Sequence, residues 1–350
     1  MKESHISQIL DKYGDDILIA AHYYQSQEIR KYANIVGSSY DLIMQCAKSN
    51  AKFIILCDVS FIAQSISMFA KNGQKVILPD PNAKCLMADS IDFVTVSNTI
   101  LMINSLTEKK CAPVVYINSL ISQQGICDKF DGSPCTGSNA KQIMDYYLKQ
   151  DRPIFCYPNF YLALNCANEL GIKPEEIAIF AKDLSLKCKG DLSKAKLFLY
   201  DACCGVHQKF KIEHIRNVKA KFKDIKIAVH FDCSEDVAKR ADFVGSSDDI
   251  YEMIKGSNDK KWAIGADYEL VLELQKQNLD KTIIALTIST CPNMQKITLK
   301  NLEKSLLNIE NFIETGSKLN SLTHTKLSKD YLSSSLKIMS NITSLQATHN

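Results

Sequence analysis

Cys85, Cys204 and Cys291 stand apart from the other ten of thirteen cysteines because each follows the last of three β-rich runs. Their segments are Asn82-Ala83-Lys84-Cys85-Leu86-Met87, Cys203-Cys204-Gly205-Val206-His207 and Cys291-Pro292-Asn293-Met294. A lone free cysteine is usually a small buried hydrophobe, but three thiolates at equivalent places can share one metal centre. On an iron-sulfur cubane, three cysteine ligands leave the fourth iron open to water or a substrate oxygen, where it acts as a Lewis acid. Such an iron favours dehydration or condensation over electron transfer. A zinc site with three cysteine ligands competes on ligand type. Cys203 and Cys233 are the nearest rivals as ligands. Cys203 adjoins Cys204 and points elsewhere, and Cys233 follows a first run rather than a third, so Cys204 is preferred.

A second set of groups surrounds these thiols. His22 and Tyr24, Tyr116 and Asn118, and His230 and Asp232 fall at the ends of first runs, two residues apart in each copy. Alternation along a strand turns each pair to the same side. His207, three residues after Cys204, is placed to serve substrate or metal. Ser39, Ser138, Ser246 and Ser247 follow glycine-containing turns and open helical stretches, where they are expected to cap the helices. Helix starts that point at one mouth also bind phosphate or carboxylate. A substrate with several negative groups follows.

The elements that must position these groups repeat three times. The apolar runs are Ile17–Tyr24, Lys52–Asp58 and Lys75–Asp80, then Ala112–Asn118, Pro153–Asn159 and Lys196–Asp201, then Lys226–Asp232, Lys261–Asp267 and Thr282–Thr287. Helical stretches separate them, the pattern of βαβ units with parallel sheets. His22 precedes Gly37 by 15 residues, as His230 precedes Gly245, within Ala33-Asn34-Ile35-Val36-Gly37-Ser38-Ser39 and Ala241-Asp242-Phe243-Val244-Gly245-Ser246-Ser247. Repetition at this scale predicts three domains of one architecture. Their expected bounds are 1–97, 98–215 with an insertion near 182–194, and 216–315. A helix is expected from about Thr298, and helices at about 320–345 are expected to pack back on the first repeat. The fold class is thus α/β, three repeated three-layer α/β/α domains with short parallel sheets in pseudo-threefold symmetry around a central site.

Composition narrows the function. A net charge of +3 with interspersed signs leaves no footprint for nucleic acid or an acidic membrane. No segment approaches the ~20 apolar residues of a membrane span, and the polar N-terminus points to a cytoplasmic protein. Thirteen cysteines there do not form a disulfide framework. Small-molecule chemistry is the expectation.

Together these residues resemble the quinolinate synthase family of bacterial and archaeal NAD biosynthesis, from about His22 to Leu302. Ala21-His22-Tyr23-Tyr24-Gln25 resembles its opening A-H-x-Y-Q, and Leu78-Pro79-Asp80 with Ala83-Lys84-Cys85-Leu86-Met87-Ala88 its first cysteine segment. Tyr116-Ile117-Asn118-Ser119 and Cys135-Thr136-Gly137-Ser138-Asn139-Ala140 are similar to its second-domain strand and turn. Cys204-Gly205-Val206-His207 is similar to C-x-V-H, and Cys291-Pro292-Asn293-Met294 followed by Thr298-Leu299 to C-x-N-M and T-L.

The resemblance implies a transferase-type condensation of iminoaspartate with dihydroxyacetone phosphate to quinolinate, phosphate and water. It implies a 4Fe-4S cluster on Cys85, Cys204 and Cys291, and functional coupling to L-aspartate oxidase. It implies Tyr24, His22, Asp232 and His207 as catalytic groups. His22, Ser39, Tyr116, Asn118, Ser138, His230, Asp232, Ser246 and Ser247 would bind substrate. The chain departs from the family pattern at Ser38 in G-D-S, at Phe231 and Asp232 in H-P-E-C, at Ser247 in S-T, at Asn159 and Tyr161 in P-D-x-N-L, and at Ala266 and Asp267 in I-G-T-E. A related cluster-dependent hydro-lyase or a non-enzymatic iron-sulfur sensor would fit the same residues.

Overall fold

The computed structural model describes residues 5–71 and 73–319. Its fourteen strands make three mostly parallel sheets interleaved with helices, an α/β fold. The first sheet holds β1 (Ile17–His22), β2 (Ile35–Gly37), β3 (Phe53–Cys57) and β4 (Lys75–Ile77), ordered β2-β1-β3-β4. The second holds β5 (Ala112–Tyr116), β6 (Ser133–Cys135), β7 (Ile154–Tyr157), β8 (Ile177–Phe180), β9 (Leu186–Cys188) and β10 (Leu197–Tyr200), ordered β6-β5-β7-β10-β8-β9. The third holds β11 (Lys226–His230), β12 (Phe243–Gly245), β13 (Lys261–Gly265) and β14 (Thr282–Ala285), ordered β12-β11-β13-β14.

The nine apolar runs supply nine of these strands. Central strands such as β3, β5, β7 and β10 are buried at every position, so they read as continuous β-branched and aromatic runs, as expected for parallel strands covered on both faces. The other five were not legible as strands. β2, β6 and β12 are three-residue edge strands leading into glycine turns, too short for a two-residue period. β8 and β9 pair antiparallel, so part of the 182–194 excursion adds a strand to the second sheet.

The repeated A-N-I-V-G-S-S and A-D-F-V-G-S-S segments have one structural explanation. Ile19 N–H donates to Asn34 Oδ1 at 2.7 Å while Asn34 N–H donates back to Ile19 O at 2.8 Å. Ile227 and Asp242 make the same reciprocal pair at 2.9 and 2.8 Å. Each latch fixes where an edge strand joins its first strand, and Tyr23 N–H to Gly37 O and Phe231 N–H to Gly245 O close the far end.

The chain forms two compact units. Among the described residues, one contains 5–71, 73–85, Asp267–Glu273 and 290–319; the other contains Leu86–Ala266 and Leu274–Ser289. In the first, the helix Leu299–Thr315 starts at a Thr298 cap and ends at Gly316 with φ 69°, and buries Leu302, Leu306 and Ile309. Its Phe312 ring meets Phe53 edge-on at 5.9 Å. Each such apolar side chain contributes ~1.5–3 kcal/mol on full burial. In the second, Phe210, Ile227, Val229, Val237, Ala263 and Leu286 build a core around β11. The helices expected at 320–345 lie outside the described residues. Among the described residues no helix is long and apolar enough to cross a membrane.

Candidate functional site

In each sheet the chain leaves the first strand for an edge strand on one side and then crosses to the other side. Such reversals in strand order are where open parallel sheets bind ligands, beyond the strands' carboxyl ends. The three residue pairs lie at these points and are each in contact. Tyr24 N–H donates to His22 Nδ1 at 3.0 Å, with the two rings edge-on at 4.4 Å. Asn118 Nδ2 donates to Tyr116 OH at 3.0 Å. Asp232 N–H donates to His230 Nδ1 at 3.2 Å. Because backbone donors occupy Nδ1 of His22 and His230, their ring proton sits on Nε2 in the neutral form.

In the second unit, polar groups converge on Asp232, which is 3% exposed. Its Oδ2 lies 3.5 Å from His207 Nδ1 and 3.7 Å from His230 Nδ1. The two imidazoles stack, with centroids 4.0 Å apart and planes 9° apart. Asn159 Nδ2 donates to Asp232 Oδ1. Burial pushes the carboxyl up, but His230, His207 and Asn159 together outweigh it and hold it below the usual carboxylate value. Cys204 Sγ, a His207 ring nitrogen and an Asp232 oxygen lie within 4.8 Å of one another, a thiolate, imidazole and carboxylate set suited to a divalent metal. The turn behind them is tight, with His207 and Gln208 N–H both donating to Cys204 O.

Phe231, the residue between His230 and Asp232, wedges its ring against Gly137 and meets Tyr116 edge-on at 5.9 Å. A Cβ at Gly137 would fall 1.8 Å from that ring. Here the glycine permits close approach rather than an unusual turn.

In the first unit His22 is buried, and burial together with the Arg30 charge lowers it to about 3. It is a neutral imidazole. Arg30 is held between Glu269 and Glu273 at 3.5 and 3.3 Å. Asp58, immediately after β3, is 0% exposed and pushed up to about 8 by burial, against the Val59 N–H and the Ser39 hydroxyl. Asp267 Oδ2 accepts the Cys291 N–H at 2.7 Å. Gln25 Nε2 donates to Met294 O at 3.1 Å, pinning the turn after Cys291.

The cysteines divide by environment. Cys46, Cys57 and Cys166 are buried thiols pushed up to about 12, and Cys233 is a core residue whose Sγ faces Gly265 O at 3.6 Å. Cys85, Cys188, Cys203, Cys204 and Cys291 are partly exposed. Burial raises Cys291, while the N–H groups of Met294 and Asn293 point at its sulfur and work against that shift.

The serines differ from expectation. The cap of the helix Ser39–Lys48 is Ser38, whose Oγ accepts from Asp41 N–H, and Ser39 is the buried first helical residue. Asn139 rather than Ser138 precedes the helix Ala140–Leu148. Ser246 does cap the helix Ser247–Gly256. The hydroxyls of Ser138 and Ser246 both donate to Asp249 Oδ2, at 2.9 and 2.6 Å, so the chain's own carboxylate takes the contacts an anion would make. Sequence reasoning assigns no role to Asp58 and Asp267. The signal is present, since the second run of every copy ends in Asp or Asn.

A protein-family model described as Quinolinate synthetase A protein matches residues 4–330. The chain belongs to the quinolinate synthase family. Relatives named quinolinate synthase include one from Geobacillus sp. (strain WCH70), 34% identical over 88% of this chain and 85% of that protein. Those from Bacillus cereus (strain AH187) and Bacillus anthracis (strain CDC 684 / NRRL 3495) are 33% identical with the same coverage. A solved D-2-hydroxyisocaproate dehydrogenase aligns over 91% of this chain and 89% of its own at 10% identity and a TM-score of 0.20, too weak to relate the folds. Among quinolinate synthases, this chain is a member whose Asp232 is a buried carboxylate facing Asn159, His207 and His230.

Proposed function

We propose that this chain is a cytoplasmic quinolinate synthase of NAD biosynthesis, condensing iminoaspartate with dihydroxyacetone phosphate to quinolinate with loss of phosphate and water. Family membership across residues 4–330 carries the reading. We assign residues 1–97, 98–215 and 216–315 to its three repeated domains, and Cys85, Cys204 and Cys291 to a 4Fe-4S cluster.

The donor set fits that group. These three thiols are partly exposed, as Cys188 and Cys203 also are, while the other eight cysteines are buried, and Cys291 has two backbone N–H groups facing its sulfur. When bound, the cluster supplies a Lewis-acidic iron for loss of hydroxyl groups.

The chain's own residues supply binding and proton transfer. His22, neutral and with Nδ1 occupied, donates from Nε2 to a substrate carboxylate or carbonyl oxygen. The Tyr24 hydroxyl and the Asp232 carboxylate exchange protons with the condensing carbons and leaving hydroxyls, in the manner of general acid-base groups. His207 and His230 hold Asp232 in its anionic form. Tyr116, Asn118 and the helix starts at Ser39 and Ser247 bind the anionic groups, and a phosphate takes the contacts of Ser138 and Ser246 when Asp249 yields them. An L-aspartate oxidase would provide the imine.

The test is anaerobic loading with iron and sulfide, addition of iminoaspartate and dihydroxyacetone phosphate, and chromatographic assay of quinolinate. Complementation of a quinolinate auxotroph is the expected companion result. A cluster-bearing protein that forms no quinolinate would sink the reading.

A further inference from the structure

All three sheets end their third strand in chain order in the same way. Asp58 follows β3, Asn159 follows β7 and Asp267 follows β13, each one or two residues beyond the strand and each at most 2% exposed. Buried polar groups at equivalent places must be partnered, and their partners show what they do. Asp58 Oδ1 accepts from Val59 N–H at 2.6 Å. Asp267 accepts from the N–H groups of Glu269 and Cys291 at 3.0 and 2.7 Å. Both carboxylates face N–H donors. The middle copy alone has an amide, and there the partner is a carboxylate, Asp232.

The amide cannot turn round without loss. Asn159 Oδ1 accepts from Leu162 N–H at 3.1 Å as the cap of the helix Phe160–Glu169, which leaves its NH2 to face Asp232. The same helix holds the Asp232 backbone, since Asn165 Nδ2 donates to Phe231 O at 3.0 Å and Cys233 O at 3.2 Å. Gln208 Nε2 donates to Asp232 O at 2.8 Å. One carboxylate oxygen is thus tied to Asn159, and the other is left toward His207 and His230. A carboxylate at position 159 would press two buried anions together, a costly arrangement. Two departures from the family pattern, at 159 and 232, are therefore hydrogen-bonded partners.

We propose that Asn159 is the positioning residue that aims the Asp232 carboxylate, the two forming a matched amide-carboxylate pair between the middle and third repeats. The inference rests on the reading of Asp232 as the proton-transferring group of the proposed reaction.

The experiment compares the parent, Asn159→Asp, Asn159→Ala, Asp232→Asn and the double Asn159→Asp/Asp232→Asn, all cluster-loaded with iron and sulfide counted. Asn159→Ala should lose about 10- to 100-fold in kcat with KM within about threefold, the signature of a misaimed group rather than lost binding. Asn159→Asp should lose at least as much and melt lower. In the double variant the bond reverses, with the new amide at position 232 donating to the new carboxylate at position 159, so Tm recovers while activity stays absent. Recovery of Tm without activity separates the pair's geometry from general damage. An Asn159→Ala enzyme with kcat within about twofold of the parent would overturn the proposal, as would a double variant no more stable than Asn159→Asp. If Asp232→Asn remains active, the underlying reading of Asp232 fails, and Tm recovery in the double still reports the pairing by itself.

Discussion

His207 and His230 lie face to face, 4.0 Å between ring centroids, with one Asp232 oxygen 3.5 Å from the first and 3.7 Å from the second. Both rings therefore border the same buried carboxylate, so a change at His207 reaches the proposed proton-transferring group directly. His207→Phe preserves a flat ring for the stack and removes both nitrogens. We expect kcat to fall roughly 10²- to 10⁴-fold, the usual weight of a lost acid-base partner, with Tm also lowered because the buried Asp232 loses one of its partners. Retention of kcat within about tenfold would remove His207 from the proton path.

Metal loading should separate the thiols. Cys85→Ser, Cys204→Ser and Cys291→Ser are each expected to lose the brown cluster and acid-labile sulfide, whereas Cys46→Ala and Cys57→Ala, at buried positions, should keep both. Zinc offers a second arm. Cys204, His207 and Asp232 present three donors within 4.8 Å, so zinc added to the cluster-free chain should block later iron uptake. Asp232→Asn should relieve that block, as read by metal analysis.

The depressed His22 makes a signed prediction about pH. An unfolded histidine titrates at ~6.5, whereas folded His22 titrates at about 3. Between those values the unfolded chain binds the extra proton, so the stability tied to neutral His22 is present above pH ~6.5 and is lost as pH falls toward about 3. His22→Gln should flatten Tm against pH between about 6.5 and 4 relative to the parent. Parallel curves for the two proteins would contradict this.

Gly137→Ala should destabilise by ~1–3 kcal/mol as an overpacked position, because the new methyl would lie 1.8 Å from the Phe231 ring. Phe231→Ala in the same chain should relieve much of that cost. The combined effect, measured by denaturant unfolding, should be smaller than the sum of the single changes.

Much of this was legible in the sequence. Nine strands announced themselves as apolar runs, the central ones such as β3, β5, β7 and β10 because they are buried at every position, and the pairs His22/Tyr24 and His230/Asp232 were visible as a repeated two-residue spacing. What stayed hidden has physical reasons. Edge strands such as Ile35–Gly37 are shorter than any periodic signal. Ser38 rather than Ser39 caps its helix because a one-residue offset is decided by backbone geometry. The link between Asn159 and Asp232 joins residues 73 apart, and no local pattern reports such a contact.

The helix Leu299–Thr315 has a consequence for how the protein is made. His5 bonds Glu303 across 298 residues, and Phe312 meets the ring of Phe53 on β3. The ribosome therefore releases β3 long before this part of its cover exists. During that interval an apolar face is exposed, which invites aggregation. Cluster insertion is then expected to follow release of the finished chain, and a message truncated before Thr298 should yield insoluble protein rather than a smaller enzyme.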